Sequence, residues 1–331
     1  LNVPASQLIF TASATESNNL ALKGVFFANS GKRRKILVSA VEHDCVLNSA
    51  KWLAKQGALI DFLEVDRYGQ VDLKKLATKL DDETLLISVI HANNEIGTIQ
   101  PLSKIIELCH QCGALVHVDA SQTMGKLSID LQELQADFLT ASAHKIYGPK
   151  GVGLLYHRKS VPLTPLLHGG GQESNLRSST LNVPGIVGFS KAVELAIANQ
   201  AKEMPRIQAH RDYLQTQLLN SIEGSYLNGH PVERLYNILN IRFDYIEGEA
   251  LVMSLSQLGV AASTGSACSS PKLEPSHVLL ATGLKPAQAH GSLRLSLGRW
   301  TTRAELDQAI VFIKQVVTRL REISPFKIKK G

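Results

Sequence analysis

Three residues carry reactive groups in settings that invite chemistry: Lys145, Asp119 and Cys268. A lysine that sheds its proton can attack an aldehyde and hold it as a Schiff base. Moving such an amine from ~10.4 to about 7–8 takes about 3–4 kcal/mol of differential interaction. Partial burial of Lys145 beside His144 and a bound cofactor would supply it. The chemistry also needs an acid that keeps a pyridine nitrogen protonated, so that the ring draws electrons. Asp119 has the type and placement. A phosphate needs N–H and hydroxyl donors, often at a helix N-terminus. Ala12-Ser13-Ala14-Thr15-Glu16-Ser17 lies between a strand-like Leu8–Thr11 and a helical stretch, and Ser142 lies near the lysine. Cys268 stands among Gly265, Ser266, Ala267, Ser269 and Ser270, small residues that suit a mobile loop. Its thiol, at ~8.5 when unperturbed, is a few per cent thiolate at neutral pH and still very nucleophilic.

The elements that must position these groups follow from hydrophobic patterning. Strands are expected at Lys35–Val41, Ala58–Leu63, Leu85–His91, Ala114–Asp119, Phe138–Ser142 and Gly151–Tyr156. Helices are expected between them at Glu16–Ser30, Cys45–Gln56, Asp72–Lys79 and Leu102–Cys112. Runs such as Leu85-Leu86-Ile87-Ser88-Val89-Ile90 are nearly continuous and apolar, as strands covered on both faces should be. The alternation predicts an α/β fold with a mostly parallel sheet. A long helical pattern then runs from about Val187 to Leu219, followed by strands near Tyr236–Phe243 and Ser292–Ser296 and helices near Glu249–Leu258 and Ala304–Ile323. We therefore expect a large domain over residues 1–200 and a smaller α+β domain over 201–331 that carries the Cys268 loop. In parallel sheets ligands bind at the carboxyl ends of strands. Three such ends bring polar groups to one edge: His91 to Glu95, Asp119 to Gln122, and Ser142 to Lys145.

Composition narrows the function classes. The 331 residues, 44% hydrophobic and 19% charged, suffice for a sizeable core. The net charge of +6 is scattered apart from two short basic runs, which lack the interleaved aromatics of a base-stacking surface. No nucleic-acid partner is expected. No apolar run reaches the roughly 18 residues of a membrane span, and no signal peptide is visible. Four irregularly spaced cysteines do not make a disulfide framework, so the expected setting is a reducing, cytoplasmic one. Cys109-His110-Gln111-Cys112 ends a helical pattern without the second pair a zinc site needs, and no metal site is expected. His168-Gly169-Gly170-Gly171 has no G-x-S-x-G elbow to accompany it, which disfavours a serine hydrolase.

Read together and in order, several segments resemble the cysteine desulfurases, fold-type I pyridoxal-phosphate enzymes related to the class V aminotransferases. They are Ala14-Thr15-Glu16-Ser17, Glu42-His43, Asn93-Asn94-Glu95, His117 to Gln122, Ser142-Ala143-His144-Lys145-Ile146-Tyr147-Gly148-Pro149-Lys150-Gly151, His168 to Glu173, Arg177-Ser178-Ser179-Thr180, Ser263 to Ser269, and Arg294 to Arg299. The likeness spans nearly the whole chain. Ser13 and Ala143 stand where that family usually has glycine. The family pattern begins before Leu1, so an N-terminal segment is expected to be missing here.

The resemblance implies roles. Lys145 would carry pyridoxal 5′-phosphate and move protons, and His43 would stack on its ring and assist. Asp119 would bind the ring nitrogen, and Gln122 and Asn94 would contact the ring substituents. Ala14 through its backbone, Thr15, Ser142 and His144 would hold the phosphate. Thr180 would reach the phosphate of a neighbouring subunit, which implies a homodimer. Arg294, with Asn94, would take the substrate carboxylate. Cys268 would accept sulfur from L-cysteine as a persulfide, release L-alanine, and pass the sulfur to an acceptor such as an iron–sulfur scaffold protein; its thiolate could also ligate a cluster in transit. Two other readings compete: a selenocysteine lyase or C–S lyase of the same fold, and a truncated, catalytically silent binding or scaffold protein.

Overall fold

The computed structural model describes residues 1–29, 31, 33–265 and 274–325. Seven strands form the first sheet: Leu8–Thr11 (β1), Lys35–Ser39 (β2), Leu59–Leu63 (β3), Thr84–Ile90 (β4), Leu115–Asp119 (β5), Phe138–Ser142 (β6) and Gly153–His157 (β7). Their order is β1-β7-β6-β5-β4-β2-β3. The run from β6 to β3 is parallel, and β7 is antiparallel to both β6 and β1. Every residue of β4 and β6 is buried, as apolar runs covered on both faces must be. The reversal at β7 departs from a simple parallel reading and has a plain cause. Only residues 143–152 connect β6 to β7, too few for a crossover, so the chain must turn back beside the strand it left.

The helices begin where side chains satisfy their first N–H groups. Ala14–Ala28 (α1) is capped by Ser13, whose side chain accepts from the Glu16 N–H. Asp44–Ala54 (α2) is capped by the His43 ring, and Leu73–Lys79 (α3) by Asp72. Leu102–Gln111 (α4) and the short Leu131–Leu134 (α5) complete this part. Val183–Ser221 (α6) follows, longer at both ends than its apolar pattern suggests and with Pro205 inside it. Ile9, Leu20, Leu22, Val25, Ile36, Val46, Phe138 and Leu155 share one buried core. Burying each such side chain contributes about 1.5–3 kcal/mol.

A second sheet is antiparallel, with order β10-β9-β8: Ser225–Asn228 (β8), Ile238–Phe243 (β9) and Ser292–Ser296 (β10). β8 escapes sequence detection because it is a short edge strand whose residues alternate between half-exposed and exposed until Asn228. Around it lie Gly248–Gln257 (α7), His277–Ala281 (α8), Pro286–His290 (α9) and Arg303–Ile323 (α10). α10 opens with a reciprocal Thr302–Glu305 capping box. Leu239, Ile241, Phe243, Leu251, Leu293, Ile313 and Val317 form the core here.

The chain divides into two units. The first comprises Leu1–Glu64, Val71–Ala92 and Gln100–Gln200, and the second Val65–Gln70, Asn93–Ile99 and Ala201–Gly331. The segments 65–70 and 93–99 thus join the second unit although they lie within the first 200 residues. Backbone bonds carry 93–99 there: Ile99 N–H donates to Glu233 O, and Leu235 N–H donates to Gly97 O.

Candidate active site

Within the first unit, β1, β2, β4, β5 and β6 all end at one edge of the sheet, because β1 and β6 both oppose β7. Asp119 is the last residue of β5 and Ser142 the last of β6, and Gly153 opens β7 opposite both Thr11 and Ser142. A methyl group on Gly153 would stand 2.5 Å from the Ser13 carbonyl carbon. Glycine is what lets β7 approach the first turn of α1, where Ala14 and Thr15 present their N–H groups.

Asp119 is 3% exposed. Its Oδ2 accepts from Asn18 Nδ2 at 2.7 Å, and its Oδ1 accepts from the Ser121 N–H at 2.9 Å. The carboxylate is therefore held from two sides, by α1 and by the turn that follows β5, and it keeps lone pairs for another donor. Asn18 itself is fully buried, with Oδ1 lacking a partner, as does the buried Ser121 hydroxyl. His117, two residues back on β5, bridges Ser88 Oγ at 2.8 Å and Thr140 Oγ1 at 3.1 Å. Burial pushes His117 down to about 4, which keeps it neutral behind the carboxylate.

His43 caps α2, its Nδ1 accepting from the Cys45 N–H at 3.2 Å. Glu42, beside it, is fully buried and held well above the usual carboxylate range by desolvation and then by Asp119. Past β6 the 3-10 turn Ala143–Ile146 buries Ala143 and Ile146 and turns Lys145 outward. Lys145 is exposed, not partly buried as expected, because the tight turn spends its inward positions on its two apolar ends. Ser142 Oγ lies 2.8 Å from His144 Nδ1. Partial burial, then Lys145 and Lys150, hold His144 below the usual imidazole range.

Gln122 also reaches this neighbourhood. Its carbonyl accepts from Lys126 Nζ at 2.9 Å. Burial first, and the Lys145 ammonium second, push Lys126 down to about 8. The two amines are like charges, and the Lys145 ammonium disfavours charge on Lys126. Thr180 is exposed in the segment before α6. That segment is tied to α1 by Arg177 Nε donating to Glu16 Oε1 at 2.7 Å, and to β1 by the Phe10 N–H donating to Glu173 Oε2 at 2.8 Å.

In the second unit, Arg294 on β10 donates from Nη1 to the Asn94 carbonyl at 3.1 Å. Its backbone pairs with Ser263 in both directions. Ser276 Oγ donates to Glu95 Oε2, and a methyl group on Gly265 would lie 3.1 Å from Ser276 Cβ. The residues on either side of 266–273 thus meet beside Glu95. Cys268 lies outside the described residues.

Asn18, Cys45 and Lys126 did not emerge from the sequence reading. Asn18 sits in α1 as an unremarkable polar position that only tertiary packing directs at Asp119, whereas Cys45 meets His43 locally, two residues on at the start of α2. Lys126 had a signal available, four residues after Gln122. Cys109-x-x-Cys112 is a local feature: burial pushes Cys109 up to about 12, and the Cys112 thiol donates to the Cys109 carbonyl.

Comparison with known proteins gives this arrangement a family. The aminotransferase class-V family model matches residues 1–309. Cysteine desulfurase IscS 1 of Archaeoglobus fulgidus is 50% identical over 325 residues, covering 98% of this chain and 85% of that protein. Cysteine desulfurase IscS of Methanosarcina thermophila is 46% identical over 330 residues, with coverage of 100% and 81%. Among solved structures, a NifS-like protein superposes with a TM-score of 0.90 at 38% identity, covering 97% of this chain and 85% of that one. SspA in complex with cysteine superposes with a TM-score of 0.78 at 33% identity, covering 91% and 84%. With a family model matched over most of its length and relatives near half identical, this chain belongs to the class V aminotransferases, alongside the cysteine desulfurases.

Proposed function

We propose that this protein is a pyridoxal-phosphate-dependent cysteine desulfurase, which takes sulfur from L-cysteine as a persulfide on Cys268 and releases L-alanine. The observation that carries the reading is Asp119: a buried carboxylate with a fixed direction, at the strand edge shared with the Ser142–Lys145 turn. The names of the relatives and the cysteine-bound SspA structure point the same way.

The residues present fit pyridoxal phosphate. The N–H groups opening α1, with Thr15, Ser142 and His144, are donors for its phosphate, in a cradle that a side chain at position 153 would fill. Asp119 is a pre-oriented acceptor for a ring N–H, and the orphaned Asn18 Oδ1 and Ser121 Oγ mark that pocket as built for further polar groups. Lys145 offers the amine. When bound, the cofactor supplies an electron sink for the bonds broken at the substrate carbon.

The chain's own residues do the rest. Asp119 keeps the ring nitrogen protonated, and its hydrogen bonds to Asn18 and Ser121 prevent it from turning away. His43 would face the ring, and Gln122 and Asn94 would contact its substituents. Arg294 receives the substrate carboxylate as a planar, two-pronged donor. Lys145 takes the proton from the substrate α-carbon and later returns it. The Cys268 thiolate attacks the substrate sulfur: an S–S bond forms, the C–S bond breaks, and its electron pair stays on carbon, which is protonated toward alanine. Thr180, exposed and anchored through Arg177, would complete the phosphate site of a second copy in a homodimer. Delivery of the persulfide to an iron–sulfur scaffold in the cytoplasm completes the reading. No helix among the described residues is long and apolar enough to cross a membrane.

Cys268→Ala tests the assignment. The variant should retain bound cofactor and its absorbance yet release no sulfide from cysteine under a thiol reductant. Undiminished sulfide release would end the reading.

A further inference from the structure

Three positions assigned above to the cofactor's surroundings meet at Cys45, a side chain that none of the motifs names. Its sulfur accepts from Asn18 Nδ2 at 3.1 Å and stands 3.1 Å from His43 Nδ1. The Thr15 hydroxyl is a further hydrogen-bond partner. The same Asn18 Nδ2 donates to Asp119 Oδ2 at 2.7 Å. One thiol therefore joins the ring-facing imidazole to the amide that holds the ring-facing acid.

The direction of the contact to His43 can be decided. The backbone N–H of Cys45 donates to Nδ1 at 3.2 Å, and a backbone N–H cannot accept. Nδ1 must therefore keep its lone pair, and the proton of the neutral ring resides on Nε2. The thiol, for its part, keeps its hydrogen, because burial and then the Asp119 charge push it up to about 12. Both Cys45 donors lie within reach of one nitrogen.

We infer that Cys45 is a positioning residue: its N–H and S–H, both donated to Nδ1, lock His43 as the Nε2–H tautomer, so that His43 serves the reaction as a hydrogen-bond donor and Lys145 alone abstracts the proton. The role rests on the cysteine desulfurase reading; the tautomer does not.

Long-range ¹H–¹⁵N spectra of the ¹⁵N-histidine-labelled holoprotein at neutral pH test it, with His43 assigned by its loss in His43→Gln. The expected pattern has a lone-pair nitrogen at Nδ1 and a protonated Nε2. A protonated Nδ1, in either a neutral or a doubly protonated ring, would overturn the inference. In Cys45→Ala the Nδ1 resonance should move downfield as it loses a donor. Cys45→Ser should restore it. The alanine variant should lower kcat about fivefold at unchanged KM. An Nδ1 resonance that ignores Cys45→Ala also overturns the inference. Should that variant not fold, the spectrum of the natural protein decides alone. Failure of the functional reading would look different: no sulfide from cysteine, with the His43 tautomer as expected.

Discussion

The edge of the parallel sheet and the β10 side of the antiparallel sheet hold their polar groups in different ways. At the parallel edge, Asp119 is fixed by a donor from α1 and another from the turn after β5, and His117 braces the layer beneath it. Two donors, one of them from a distant helix, thus fix one buried carboxylate. On β10, Arg294 is placed by backbone pairing with Ser263 and by a side-chain bond to the Asn94 carbonyl, and it remains half-exposed. The first arrangement suits a group whose direction must not change while charge shifts on a ring. The second suits a group that must meet and release a small substrate on every turnover.

The sharpest way to break this comparison is at Lys145. Lys145→Ala should lower sulfide release by about 10⁴-fold or more, and borohydride reduction should leave no pyridoxyl mass on the peptide that contains position 145. Pyridoxyl mass on Lys126 instead would reassign the amine. Next in size is Asp119→Asn, which preserves shape but removes the charge. It should cost about 10²–10³-fold in kcat/KM at saturating cofactor. A loss under tenfold would mean that the rigidity of this edge serves stability rather than chemistry.

Acid should also separate the two units. His91 and His117, both in the first unit, are pushed down to about 4 by burial. A histidine whose folded value is depressed contributes stability that is complete above its unfolded value of about 6.5 and lost as pH falls toward 4. Each costs up to about 1.4 kcal/mol per pH unit across that window. Hydrogen exchange between pH 6.5 and 5 should show β4 and β5 amides losing protection faster than those of β9 and β10. Equal losses would erase the distinction. The smallest effect is expected at Arg294→Lys, which trades a two-pronged donor for a point charge. KM for cysteine should rise about tenfold, with kcat and cofactor affinity nearly unchanged. A parallel loss of cofactor would place Arg294 with the ring instead.

Much of the architecture was legible in the chain. Continuous apolar runs marked β2, β4, β5 and β6 because strands covered on both faces have no polar alternation to blur them. Helical periodicity marked α1, α2, α4 and α10 because each buries one face. β8 was not legible, since an edge strand need not be apolar. The reversal at β7 was readable only from loop length, which periodicity ignores. The membership of 93–99 in the second unit depended on backbone pairing with residues near 233–235, more than 130 positions away.

Sequence alone determined which groups end the strands: Asp119 and Ser142, with Lys145 in the turn just beyond, owe their places to apolar runs that stop where a polar residue begins. Tertiary structure decided what those groups touch. Asn18 became a partner of Asp119, and Lys126 of Lys145, only when segments distant in the chain packed together, whereas Cys45 meets His43 locally at the start of α2. A local pattern records which face of a helix is apolar, whereas the partner of a buried polar atom is chosen by three-dimensional proximity, which that pattern does not encode.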